Sequence, residues 1–258
     1  MTGHSANLST HTEKQQHTNM KKTLLIAAAA LAASVITSQA QVYSQNIVGY
    51  ANVATSGGGT FLVTVPFKVG VSNGANEVWP TPALPDGSSL LIWTGTGYTT
   101  YLSDSGSSSL WDDDGGNPIP LSPLLPVGKG FFLIPAASTT NTFVGTVAVN
   151  VGTSNSVTFA SGGTYLVAPA VPYAGSITNG SPVTGVGGPG LTAANGLPDG
   201  SSLLIWTGTS YTTYLSDSGS ASLWDDDGGN PIPFAPTVKV GQGFFIIPAA
   251  NFTWKVGI

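Results

Sequence analysis

The sequence predicts an all-β protein: two tandem antiparallel β-sandwich domains, or small barrels, arising from an internal duplication behind a helical signal peptide. Three observations lead there. The 258 residues include 34 Gly and 18 Pro, which argues against long helices. The apolar runs are short and bounded by turn residues, as in antiparallel sheets. A block of 54 residues occurs twice, 84–137 and 197–250, at a constant offset of 113 and with 45 identities. A unit of about 100 residues is the size of one sandwich domain and far longer than a solenoid repeat.

Along the chain, the first feature is a targeting segment. Met20-Lys21-Lys22 is a basic n-region, 24–33 is an unbroken apolar run, and Ser38-Gln39-Ala40 supplies the small residues of a cleavage site. This reads as a secretory signal peptide at 20–40, cleaved after Ala40. It is too short and wrongly flanked for a membrane span. Residues 1–19 read as a disordered start-site extension, with Met20 as the start of translation. Removing 1–40 removes all three His and both Met, and leaves four Lys against 11 acids, a charge of −7. The mature chain then has no His, Cys, Arg or Met. Catalysis through a His dyad or a thiolate is excluded, as are His/Cys zinc sites. Nucleic-acid binding, which rests on Lys and Arg, is disfavoured.

Domain 1 is expected at 42–146 and domain 2 at 147–258. In the first copy the runs 47–53, 60–65, 89–94, 98–102, 130–134 and 142–149 read as strands. Thr94-Gly95-Thr96-Gly97 between two of them reads as a hairpin loop, because Gly permits positive φ. Leu84-Pro85-Asp86-Gly87 and Gly115-Gly116-Asn117-Pro118 read as turns. The Gly128-Lys129-Gly130 segment leads into a strand where a phosphate loop needs a helix, so it too reads as a turn. The second copy carries about nine extra residues between Tyr173 and Leu197. The drift of 121–129 against 234–242 reads as a tolerant loop.

Two constellations bear chemistry. Asp112-Asp113-Asp114 and Asp225-Asp226-Asp227, each between a Trp and a Gly pair, are candidate Ca²⁺ ligands, since clustered carboxylates suit a hard cation. Their spacing departs from the EF-hand, and a solvated acidic turn explains them better. Ca²⁺ is the one candidate cofactor. Tyr98, Tyr101 and Trp111, with Tyr211, Tyr214 and Trp224, are candidate ligand-binding residues, as flat rings on a sheet face stack on sugars. Leu90-Leu91-Ile92-Trp93 is apolar on both faces, so core packing explains Trp93 better. Tyr98 and Tyr101 point to opposite faces. Asp86 and Asp104 with the triplet raise glycoside hydrolysis as an outsider, since two close carboxyls suffice. Polar decoration of loops is the better account of them.

The succession Thr-Tyr-Leu-Val-Ala-Pro-Ala-Val-Pro-Tyr at 164–173, Leu-Ile-Trp-x-Gly-x-x-Tyr at 204–211 and Gly-Gln-Gly-Phe-Phe-Ile-Ile at 241–247 resembles the β-rich repeat modules of secreted bacterial surface and adhesion-type proteins. An Asn-Pro-Tyr often follows the first strand of that module, and 168–173 departs from it. The resemblance implies an extracellular or cell-surface location and a binding or scaffolding role, without catalytic residues. The expected function is therefore a non-catalytic structural or adhesive protein of the bacterial envelope or exterior, not an enzyme. A charge-poor surface rich in Thr, Ser, Gly and Asn, with exposed sheet edges, suits protein–protein contact or self-association. The alternative is a carbohydrate-binding module, with or without calcium. No nucleic acid and no membrane span after cleavage are expected.

Overall fold

The computed structural model describes residues 47–80, 84–150, 152–192 and 196–258. The expected extension at 1–19 and the expected signal peptide at 20–40 lie outside the described residues. The first repeat supplies β1 (Val48–Thr55), β2 (Phe61–Thr64), a single helical turn α1 (Ala75–Val78), β3 (Ser89–Trp93), β4 (Tyr98–Ser103), β5 (Trp111–Asp113), β6 (Gly130–Ile134) and β7 (Thr139–Thr146). The second supplies β8 (Ser154–Phe159), β9 (Tyr165–Val167), β10 (Gly175–Ser176), β11 (Ser202–Trp206), β12 (Tyr211–Ser216), β13 (Trp224–Asp226), β14 (Thr237–Val238), β15 (Phe244–Ile247) and β16 (Phe252–Gly257). All named pairs are antiparallel and no sheet closes into a barrel.

Both repeats build the same arrangement. A five-stranded sheet, ordered β2-β6-β3-β4-β5 in the first and β9-β15-β11-β12-β13 in the second, is accompanied by a two-stranded ribbon, β1-β7 or β8-β16. The hairpins follow from their turns. Thr94 N donates to Gly97 O with Gly95 at φ 104°, and Ser88 N donates to Pro85 O with Gly87 at φ 81°. Strand alternation then sorts side chains between two faces. Val63, Leu90, Phe131 and Leu133 face the ribbon residues Ala51 and Phe143 in one core, into which Trp79 is packed. The second core repeats this with Leu203, Phe244 and Ile246 against Phe159 and Trp254.

The opposite faces of the two sheets meet each other. Leu62 and Phe132 pack with Leu166 and Phe245, flanked by Leu91, Trp93, Leu204 and Trp206. The layers are therefore ribbon, sheet, sheet, ribbon, and both faces of each sheet are covered. That is why Leu-Leu-Ile-Trp carries no polar face. Residues Gln45–Ile258 accordingly cluster as one compact unit.

The outer edges of the two five-stranded sheets are covered. Thr64 N donates to Gly241 O at 2.9 Å and Gly243 N to Leu62 O at 3.2 Å, so the free edge of β2 meets the segment leading into β15. Ala168 N donates to Gly128 O at 3.1 Å beside β9, the matching contact in the other direction. At the far edges, Asp112 and Asp225 bridge to Pro118 and Pro231. Edge strands paired or bridged in this way offer no ladder for another chain. The crossing explains the repeated Gly-x-Gly: a Cβ on Gly130 would lie 2.9 Å from Leu166 Cδ1, and one on Gly243 3.3 Å from Gly130 Cα.

The repeats differ where α1 stands. Glu77 accepts from Gly74 N at 3.1 Å, the N3-to-N-cap half of a capping box at the start of Ala75–Val78. Asn76 on this turn accepts from Trp111 Nε1 at 2.6 Å. The second repeat has the longer Gly/Pro-rich segment 174–196 in its place, and the buried Trp224 Nε1 has no partner. A buried donor without an acceptor costs about 1–3 kcal/mol. Trp111→Phe is expected to lose about that much by orphaning Asn76 Oδ1, beyond the volume change common to both sites. Trp224→Phe incurs the volume change but removes a penalty instead of creating one, so in urea unfolding it should lose less than Trp111→Phe. Equal losses in the two variants would refute the hydrogen-bond account.

Candidate functional site

The candidate aromatics separate into three environments. Trp111 and Trp224 are 3% and 0% exposed, inside the two cores, with no ring face open to a ligand. Tyr101 and Tyr214 are half-buried against the same cores. Tyr98 and Tyr211 lie on the other face and are brought together across the repeats. The Tyr98 and Tyr211 hydroxyls interact with each other, and burial raises both phenols above their ordinary value. Tyr98 packs on Trp93 at 4.9 Å and on Phe132 at 5.7 Å, and Tyr211 on Trp206 and Phe245 at 4.9 and 5.8 Å. Trp93 Nε1 donates to Thr164 O and Trp206 Nε1 to Thr60 O, each bond crossing between repeats. These rings join the two halves.

The Asp triplets also divide. Asp112 and Asp225 are buried, and Asp225 Oδ1 accepts from Ser220 Oγ. Asp113 Oδ1 accepts from Gly115 N, Asn117 N and Asn117 Nδ2, and Asp226 makes the same three bonds to Gly228 and Asn230. Asp114 and Asp227 are exposed. Among the described residues no three acids converge as a metal site requires. The other acids staple loops likewise. Asp86 takes Ser105 N and Oγ, Asp199 takes Ser218 N and Oγ, and Asp104 and Asp217 each hold a Gly amide two residues on.

Glu77 is the extreme case. Hydrogen bonds from Val71 N, then Ser72 N and Gly74 N, lower its carboxyl to about 2. A depressed carboxylate adds its stability above the ordinary value and loses it as pH falls through the depressed one. The local stability of 70–78 is thus expected to hold down to pH 4.5 and be lost toward pH 2. Amide shifts of Val71, Ser72 and Gly74 should titrate with a midpoint near 2, and not in Glu77→Gln. A midpoint at the ordinary carboxylate value would contradict the assignment.

Two concave features lie between the repeats. One cleft, of about 500 Å³, is lined by Asn52, Thr60, Phe61, Trp206, Lys239 and Gln242, among others. A second, of about 420 Å³, is lined by Trp93, Leu124, Pro126, Lys129, Thr164 and Tyr165, among others. The two are equivalent under the repeat: Trp206 matches Trp93, Thr60 matches Thr164, Phe61 matches Tyr165, Lys239 matches Pro126 and Gln242 matches Lys129. Both fall in the size range of small-ligand sites. Sequence reasoning missed them because each is assembled from both repeats. One signal was available. Of the nine positions at which the copies differ, Leu124, Leu125, Pro126 and Lys129 line the second cleft.

No family model, curated protein or solved structure matches this chain.

Proposed function

We propose that this chain is a secreted, non-catalytic structural or adhesive protein of the cell envelope or exterior, built from a duplicated β-module. The observation that carries the reading is an apolar contact face on the first ribbon. Val48, Tyr50 and Val144 are 67%, 73% and 54% exposed, and Tyr50 and Val144 are direct cross-strand partners on its outer side. The matching side of the second ribbon presents Thr158, Thr253 and Lys255. Exposed apolar groups clustered on one ribbon suit contact with another protein or another copy. Sedimentation across a wide concentration range tests this. Reversible association that Tyr50→Ser with Val144→Ser abolishes is the expected result. A monomer throughout, whose attachment to the cell surface is unchanged by the double substitution, would overturn it. Export is tested by sequencing the mature N-terminus, expected at Gln41.

Carbohydrate binding is the second reading. It is favoured by the two clefts, in each of which an indole and a second aromatic ring meet polar groups at the junction of the repeats.

A further inference from the structure

We propose that the cleft beside Lys239 binds an anionic polysaccharide, through a carboxylate- or sulfate-bearing sugar unit. The inference rests on the carbohydrate reading and adds a charge selectivity and an address. Its ground is an imbalance of hydrogen-bonding groups in the lining.

The side-chain amide oxygens and several backbone carbonyls there already hold a donor. Thr60 O accepts from Trp206 Nε1 at 2.8 Å. Leu62 O accepts from Gly243 N, Gly241 O from Thr64 N, and Lys239 O from Gln242 N. Gln242 Oε1 accepts from Lys239 N at 3.0 Å. Because a backbone N–H can only donate, this bond fixes the Gln242 amide with its NH₂ as the remaining group. Asn52 Oδ1 accepts from Thr142 Oγ1 at 2.8 Å, and in this arrangement its NH₂ is the group left over.

Beside the Thr60 and Thr207 hydroxyls, the side-chain groups left over are donors: Lys239 Nζ, Gln242 Nε2 and Asn52 Nδ2. No Asp or Glu lines the cleft, so nothing within it neutralises Lys239. Residues 47–258 carry four Lys against 11 acids, which makes a cationic recess unusual on this surface. A neutral sugar offers hydroxyls that must also donate, and here their partners are few. A carboxylate or sulfate only accepts, which is what three donors fit. The walls then select a sugar over a bare anion. Phe61, Val63 and Trp206 provide apolar surface for the face of a pyranose ring.

The equivalent cleft serves as an internal control. It has the same indole and a Lys, but Leu124, Leu125 and Pro126 surround them, and no Asn or Gln lines it. A lone flexible ammonium among apolar groups lacks the fixed donors. The two clefts began as copies, and their linings now differ in the groups that decide ligand charge.

Calorimetry on the full mature chain tests the assignment, with hexagalacturonate, a sulfated hexasaccharide, maltohexaose and a hexaglutamate peptide as probes. One of the two acidic sugars is expected to bind at one site per chain, more weakly as salt is raised. Lys239→Ala and Gln242→Leu should each weaken it about tenfold or more, as loss of a charge-assisted or fixed donor does. Lys129→Ala should leave it unchanged. All three side chains are outside the cores, and circular dichroism melting checks that the variants fold. Which acidic sugar binds distinguishes carboxylate from sulfate. Maltohexaose binding as well as either, unaffected by Lys239→Ala, would overturn the charge selectivity while leaving the carbohydrate reading standing. Binding by no sugar would overturn both. Hexaglutamate binding as tightly as the acidic sugars would overturn the sugar assignment, and loss on Lys129→Ala would overturn the address.

Discussion

Trp79→Ala is expected to lower the stability of the chain by about 3–5 kcal/mol, the cost of truncating a large buried aromatic. The Trp79 indole is 6% exposed and packs on Trp111, Phe131 and Phe143 at centroid distances of 6.5, 6.0 and 6.0 Å. Its Nε1 also donates at 3.0 Å to Oδ1 of Asn141, which is only 2% exposed. Truncation therefore opens a cavity between ribbon and sheet and orphans a buried amide oxygen. Asn141 cannot turn away, because its Nδ2 is held by Val53 O and Thr55 Oγ1. Urea unfolding with an unchanged m-value would measure the loss. A loss under about 1 kcal/mol would mean that the ribbon collapses onto the sheet and the indole is not the core's keystone.

Phe132→Ala should cost about as much, but with a different signature. Phe132 is 5% exposed at the junction of the two sheets, edge-on to Trp206 at 5.6 Å and to Tyr98 at 5.7 Å. Each repeat keeps its own core, so loss of the junction leaves two bodies able to unfold separately. Calorimetric melting is expected to split into two transitions, with faster amide exchange around Thr60 and Thr164, whose carbonyls receive the crossing indole bonds. Phe245→Ala, its counterpart, should behave alike. One cooperative transition at the wild-type midpoint would contradict the account of the junction.

Much of the fold is legible along the chain. The runs read at 89–94, 98–102 and 130–134 appear as β3, β4 and β6, and the Thr94–Gly97 hairpin forms as its Gly demands. α1 is not legible, because one turn is too short to express a helical period. Its cue is the capping pair of Gly74 and Glu77. β5 and β13 are likewise hidden: Trp-Asp-Asp has three residues and two acids, and pairs only because Tyr101–Ser103 and Tyr214–Ser216 lie beside it. The candidate site was less legible still. Trp111 and Tyr98 look equivalent as exposed platforms in sequence, yet one is sealed behind Trp79 and the other tied to Tyr211. The clefts needed residues about 146 positions apart, Thr60 and Trp206, to meet.

Composition, turn chemistry and the repeat by themselves determined that the chain is all-β, where its main strands run and that the Leu90–Trp93 strand is apolar on both faces. These are local properties: alternation, positive φ at Gly and short runs are written in neighbouring residues. What each face meets was decided only by tertiary structure. One face meets the repeat's own ribbon and the other meets the second repeat, and hydrophobicity, being non-directional, distinguishes neither. The register across the Gly130–Gly243 crossing selects the partners. The same crossing leaves a cleft on each side, and so places Lys239 and Gln242 where a ligand can reach them.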